Sequence, residues 1–456
     1  MRTLIENGLV VDPANRIQSR LHLLIEDGRI ASLTESVPAG EFRRIDAAGK
    51  VVCPGFLDIH MHEAPLQDLS DPEGSIFGMM LRMGVTTVLG GNCGDSALPP
   101  PRYWELVRAG LPVNLCMLAP HGAAREAAGF RDKYAPLTAE EIPRVAEVLA
   151  EYLDWGCWGI SYGIRYYPGM DMPELMETAR LCRDGGLLVA AHVRDDAAYI
   201  YSALEEFLAP GFAYGLKMQV SHLGSMAGYG QMDRVLSMLD DARSRGLDVM
   251  ADSYPYSAFS TDIGSCTYDP GFLERYHCDY SDVKICEGPY KDMVCTKELF
   301  DDMRKNYPGV ITVAHVMDPG EVERALCHPA VMLCSDGVIH GGQGHPRAAG
   351  SFPRFLSEYV RQGKLSLSEA LEKMTSLPAR RIGLPRKGNL SVGSDGDVVI
   401  FDAETIRDRA TFREPGLAPE GIDYVLLGGE VVCDHGRILD PRRGRFLRRG
   451  HMSSDL

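Results

Sequence analysis

Six residues of this chain each stand at the end of an apolar run and carry a side chain that binds a metal or moves a proton. In PGFLDIHMHE, His60 and His62 are two apart. On a strand, positions i and i+2 face the same side, so both imidazoles can reach one ion. The run TTVLGGNCG leads into Cys93 among glycines, where the backbone can turn sharply and expose a thiolate. LLVAAHVRDD and MQVSHLG bring His192 and His222, thirty residues apart, the length of one strand–helix repeat. VMLCSDG adds Asp336 just after a further run. Taken singly, the histidines and Cys93 read as packing residues and Asp336 as a possible cap or turn; their recurrence at successive strand ends is what packing does not explain. Imidazoles and a thiolate suit Zn2+, which lowers the pKa of a water it polarises to about 7. A carboxylate beside the metal can take that proton and return it to a leaving amine. The chemistry implied is metal-assisted hydrolysis of a carbonyl-type bond, with Asp336 as general acid/base.

Such residues need strands that end together. Between 53 and 387, short β-branched runs alternate with amphipathic stretches such as PRVAEVLAEYLDWG, MDRVLSMLDDARSRG and SLSEALEKMTS, the pattern of an α/β chain with a parallel sheet. Candidate strands end near His62, Cys93, His121, Gly163, His192, His222, Tyr254, His315 and Asp336. Nine candidates compete for the eight places of a (β/α)8 barrel, which carries its chemistry at the C-terminal ends of its strands. The run GVITVAHV around residue 313 is set aside, because it follows a stretch dense in Asp, Tyr and Cys that reads as a lid inserted near 262–310. Residues 1–52 and 388–440 instead alternate apolar and polar between Gly-rich turns, the texture of antiparallel strands with one wet face. They are predicted to pair into one small β-domain, with the barrel of 53–387 inserted between its halves.

The 456 residues contain 47 Lys+Arg against 63 Asp+Glu, a net charge of −16 that opposes nucleic-acid binding. The basic cluster at 441–456 reads as a solvated tail. Twelve irregularly spaced cysteines with no CxxC pair predict reduced thiols and a cytoplasmic protein. The opening MRTLIENGLVV is no secretion signal, and no run of 18 apolar residues predicts a membrane span. Cys266, Cys278, Cys286 and Cys295 follow no zinc-site spacing and read as free thiols.

In order along nearly the whole chain, PGFLDIHMH, GNCG, PHGAAR (120–125), SYGIRYYPG (161–169), AHVRDD, DSYPY (252–256) and SDG followed by HPRAAGSFPR (345–354) resemble the amidohydrolase superfamily, and within it the N-acyl-D-amino-acid deacylase (D-aminoacylase) branch. The resemblance implies a distorted (β/α)8 TIM-type barrel with a β-sandwich made by the two termini. It implies a tight zinc held by Cys93, His192, His222 and Asp336, and a second, weaker position at His60 and His62, with Cys93 able to bridge; one functional zinc is expected. It aligns Arg347, Tyr166 and Tyr254 with substrate-facing positions, it matches His121 as either a substrate contact or a structural hydrogen bond, and it implies a small-molecule amide substrate and a homodimer.

One departure stands out. Relatives carry lysine two residues after the sixth-strand histidine, where it helps hold the substrate's α-carboxylate, and this chain has Gly224. Such a charge-assisted hydrogen bond contributes about 1.5–3 kcal/mol. Arg165 and Lys217 are the candidates to replace it, and Arg275, Lys284 and Lys291 are available for an acidic substrate side chain.

The leading expectation is therefore a zinc amidohydrolase cleaving a linear amide, an N-acyl-D-amino acid, to a carboxylate and a D-amino acid. A cyclic-amide hydrolase of the hydantoinase or dihydropyrimidinase type shares the metal logic, but its bridging lysine has no counterpart near GISYGIRYYPG. A non-catalytic binding protein on the same fold would have lost ligands, and all six are present.

Overall fold

The computed structural model describes residues 2–63 and 70–450. Its parallel strands form two hydrogen-bonded ladders. Phe56–Asp58, Val85–Gly90 and Asn114–Met117 make the first, and Ala119–Pro120, Gly159–Gly163, Leu188–His192, Lys217–Val220, Val249–Ser253 and Val331–Leu333 the second. Leu118 alone separates the last strand of one from the first of the other. At the far side, Asp336 N donates to His60 O at 2.8 Å, His62 N to Gly337 O at 2.9 Å, and the buried Asp58 carboxylate accepts from both His60 N and Ser335 N at 3.1 Å. First and last strands are thus tied at the ends where the chemistry-bearing residues lie.

The crossover helices follow their periodicity. Ile142–Trp155 buries Ile142, Val145, Leu149, Tyr152 and Leu153, one apolar stripe. Met232–Ser244 and Leu367–Met374 form where predicted, the latter closed by a Ser366/Glu369 capping box. The run near 313 is indeed outside the parallel ladders: Ile311–Ala314 pairs antiparallel with Phe259–Asp262 and Val283–Ile285 in a separate three-stranded sheet.

The termini pair through Val51–Pro54 against Val398–Phe401, in a nine-stranded sheet drawn from both ends of the chain. The expected wet face is absent at this seam. Val52, Val398 and Ile400 pack into a core of the terminal strands, while Val51, Cys53, Val399 and Phe401 on the opposite face join the core beneath the parallel strands. Strands covered on both faces lose the alternation and read as VVC and VVIF.

The basic segment is not a solvated tail over its described length. Gly444 bridges Leu111 and Phe446 bridges Leu115, while the Arg448 guanidinium covers the Trp155 ring at 4.3 Å and donates to Trp155 O. Arginine stems and an aromatic anchor dock it. Residues 451–456 of that segment lie outside the described residues. All twelve cysteines are free thiols. No helix among the described residues is long and apolar enough to cross a membrane.

Candidate active site

Cys93, His222 and Asp336 each adopt a left-handed backbone, with φ of 54°, 34° and 48°. Non-glycine residues rarely do so, and the strained turns that result end the strands abruptly and aim these three side chains inward. Around Cys93 the glycines are obligatory: a Cβ on Gly163 would stand 2.1 Å from the Cys93 carbonyl, and one on Gly94 would stand 2.6 Å from Gly163 N.

The outcome is a cluster of donors. Cys93 Sγ lies 3.4 Å from His60 Nε2 and 3.5 Å from His222 Nε2. Asp336 Oδ1 lies 3.2 Å from His62 Nε2 and 3.5 Å from His60 Nε2. Among the described residues, two sets close enough to hold an ion result, His60–Cys93–His222 and His60–His62–Asp336. His192 stands alongside, its ring centroid 4.5 Å from that of His222. Thus the structure pairs His60 with both sets, where the resemblance had placed it with His62 alone.

Electrostatics suits a soft divalent cation. Burial would raise the Cys93 thiol, yet His60, His222 and His192 hold it well below its usual range. Burial, with His222 nearby, pushes His192 down to about 4, leaving a neutral imidazole. Burial would also raise Asp336, but Arg347, His222 and His62 hold it well below the carboxylate range. Thiolate, the neutral His192 imidazole and ionised carboxylate are states that ligate zinc, whereas His60 and His62 are raised against burial by their anionic neighbours, His62 to about 10, so each must release a proton when an ion binds.

Behind the ligand candidates lie residues that sequence reasoning missed. Asp252 Oδ1 sits 3.2 Å from His60 Nδ1 and accepts from His222 N at 2.7 Å, while its Oδ2 accepts from Gln219 Nε2 at 2.7 Å. Ser225 Oγ sits 2.9 Å from His222 Nδ1. These contacts turn both Nε2 atoms toward the cluster. Asp252 was visible in DSYPY, but nothing local says that it faces His60.

The cluster floors a cavity of about 810 Å3, which His62, Cys93, Tyr166, His192, His222, Asp336 and Arg347 help to line. Arg347 is 2% exposed, and its Nη1 lies 2.8 Å from Asp336 Oδ2. Its Nε has no hydrogen-bond partner, and the Tyr254 ring supports the guanidinium from 4.5 Å. Tyr166 reaches the cavity beside His192.

Three expectations require correction, those for Tyr254, Lys217 and Arg165, and the structure favours the structural role of the two open to His121. Tyr254 is fully buried behind Arg347 and does not line the cavity. His121 does not line it either; its Nε2 meets Glu174 Oε1 at 2.9 Å in a buried network with Arg125. Lys217 begins its strand, at the end away from His222, and donates to Arg381 O at 3.4 Å. Arg165 is held by Asp195 at 2.6 Å and is not part of the lining. Gly224 has a packing reason: a Cβ there would stand 2.7 Å from Ser253 Oγ and 3.4 Å from Met317 Cε, so these side chains occupy the space a longer residue needs.

Comparison with known proteins places this arrangement. The Amidohydrolase family profile matches residues 305–433. N-acyl-D-glutamate deacylase of Alcaligenes xylosoxydans xylosoxydans is 34% identical over 98% of this chain and 96% of its own length. The crystal structure of N-acyl-D-glutamate deacylase from Bordetella bronchiseptica, complexed with zinc and a phosphonate mimic of the tetrahedral intermediate, is 32% identical, covers 98% of this chain and 99% of its own, and superposes with a TM-score of 0.87. A D-aminoacylase with a binuclear metal centre is 29% identical over 98% and 99% of the two chains, also at 0.87. A D-hydantoinase at 20% identity and 0.67 shares the fold alone. By its sequence along almost its entire length, the chain belongs to the amidohydrolase family, in the group of the N-acyl-D-amino-acid deacylases.

Proposed function

We propose that this protein is a zinc-dependent hydrolase of linear amides that converts an N-acyl-D-amino acid to a carboxylate and a D-amino acid. The observation that carries the reading is the meeting of Cys93, His222, His62 and Asp336 on one cavity floor, with His60 buried against them and the Arg347 guanidinium beside them. The scaffold we infer is a distorted eight-stranded barrel spanning 53–387, closed by the hydrogen bonds between the His60 and Asp336 strand ends, with a β-sandwich from 1–52 and 388–440.

Cys93, His192, His222 and Asp336 would hold the tight zinc, and His60 and His62 would supply a weaker position, so that one zinc suffices for turnover. A zinc ion there supplies Lewis-acid polarisation of a carbonyl and acidifies water to a pKa of about 7. Asp336 accepts the proton of the attacking water and delivers it to the departing nitrogen, which leaves as the amine of the D-amino acid. Arg347 presents an unused Nε–H to the substrate's α-carboxylate, a planar donor suited to that anion. With no lysine at position 224, Arg347 carries this contact without that partner. Replacing it with alanine should raise KM about 10- to 100-fold and also lower kcat, because Asp336 loses the cation that keeps it ionised, in steady-state kinetics.

Asp252 fixes the His60 ring through Nδ1. Asp252→Asn should weaken zinc binding by about 10- to 100-fold, read by competition with a chelator of known affinity. Unchanged affinity would remove Asp252 from the metal's support.

The direct test is amine release by zinc-loaded protein from N-acetyl and N-formyl D- and L-amino acids, with hydantoins and dihydrouracil in parallel. Release from D-amides is expected. Ring opening alone would replace this reading with a cyclic-amide hydrolase.

A further inference from the structure

Arg347 is the first residue of the helix Arg347–Phe355, and its backbone N–H is one of the donors that a helix leaves unpaired at its start. Pro346, at the cap position, supplies no side-chain acceptor. The acceptor comes from one residue further back, where Arg347 N donates to His345 Nδ1 at 3.0 Å. The other ring nitrogen is used as well, since His345 Nε2 donates to Ala258 O at 3.1 Å. An acceptor at Nδ1 and a donor at Nε2 leave one protonation state, the neutral Nε2–H tautomer. Burial, with Arg347 nearby, holds this imidazole well below its usual range and keeps it neutral.

The two partners of the ring belong to two walls of the cavity. Ala258 leads into the strand Phe259–Asp262, every residue of which lines it, and Arg347 lines it beside Asp336. His345 is fully buried and neither lines the cavity nor joins the cluster of metal-ligand candidates. Its ring packs against Tyr256 at 5.1 Å and against Phe412 at 5.0 Å, between centroids. The usual capping side chains, with one polar end, would serve one partner; an imidazole presents a nitrogen at two edges of one rigid ring.

Resting on the deacylase reading, we propose that His345 is a positioning residue for Arg347: its ring fixes the start of the arginine's helix against the strand Phe259–Asp262 and so sets the guanidinium for the substrate's α-carboxylate and for Asp336. It acts through Arg347 and touches neither substrate nor metal.

The test is steady-state kinetics of the zinc-loaded full chain with an N-acetyl-D-amino acid that it hydrolyses. His345→Gln keeps a donor for Ala258 O and loses the acceptor for Arg347 N, whereas His345→Asn keeps that acceptor and loses the donor. His345→Gln is expected to raise KM about tenfold and His345→Asn at most about threefold. In an Arg347→Ala background, His345→Gln should add little, because the two residues act as a unit. A KM that His345→Gln leaves unchanged overturns the proposal; so does an equal loss in both backgrounds, or a His345→Asn variant as impaired as His345→Gln. Each of these leaves the deacylase reading intact. Absence of hydrolysis by the parent protein overturns the deacylase reading, and nitrogen NMR of isotope-labelled arginine side chains then decides the positioning without substrate. Displacement of the Arg347 Nε–H signal by His345→Gln, with the signals of the buried Arg125 and Arg381 in place, upholds it, and an unmoved signal removes it. If His345→Gln does not fold, nitrogen NMR of labelled histidine in the unmutated protein decides: a proton on Nε2 with an accepting Nδ1 upholds the arrangement, and a proton on Nδ1 overturns it.

Discussion

Asp336→Asn is expected to lower turnover of N-acyl-D-amino acids by about 10²- to 10⁴-fold while leaving zinc content close to that of the parent protein. Asparagine keeps the volume and one ligating oxygen but takes no proton. The wild-type carboxylate is poised for that task, since burial alone would neutralise it, yet Arg347 at 2.8 Å and the imidazoles around it keep it ionised. Its two oxygens divide the work: Oδ1 faces His60 and His62, and Oδ2 faces Arg347. Single-turnover rates alongside metal analysis separate the roles. A rate near normal would strip Asp336 of proton transfer, whereas loss of zinc in parallel with activity would make it a ligand first.

Cys93→Ala should cost more in metal than in fold. The thiolate is the shared neighbour of two imidazoles, at 3.4 and 3.5 Å, so its removal takes a direct donor from the tight set. Losing a partner behind a ligand commonly costs about 10- to 100-fold in affinity, and loss of the thiolate should exceed that. Zinc that binds the folded protein raises Tm in proportion to the logarithm of its concentration over Kd, so the zinc-dependent rise in Tm should shrink or vanish in the variant. The metal-free Tm should change little, because alanine fits the left-handed turn no worse than cysteine does. One zinc per chain retained against a chelator would mean that histidines and Asp336 suffice, and that Cys93 does not hold the tight ion.

Much of this centre was legible along the chain. His60 and His62 at i and i+2, Cys93 among glycines, and His192, His222 and Asp336 at the ends of apolar runs reveal themselves locally, because an apolar run that stops at a polar residue marks a strand reaching the end of its core. The helices Ile142–Trp155 and Met232–Ser244 were legible for the same reason: their apolar spacing is written within one element. The seam strands Val51–Pro54 and Val398–Phe401 were misread as half-wet, because their second covered face comes from residues far away in sequence. The arginines after 441 looked like a tail because charge shows in composition, while the Trp155 ring that receives Arg448 does not.

Residue types and their periodicity thus pointed to the side chains that gather at the cavity, since residue identity and strand-end placement are local properties. Which of these side chains meet, and what stands behind them, came only with the packing of distant segments. Asp252 behind His60, Arg347 against Asp336, His121 withdrawn to Glu174, and Ser253 with Met317 in the space beside Gly224 are contacts between residues far apart along the chain. Their energetics depend on distance and burial, which exist only once the chain has closed on itself.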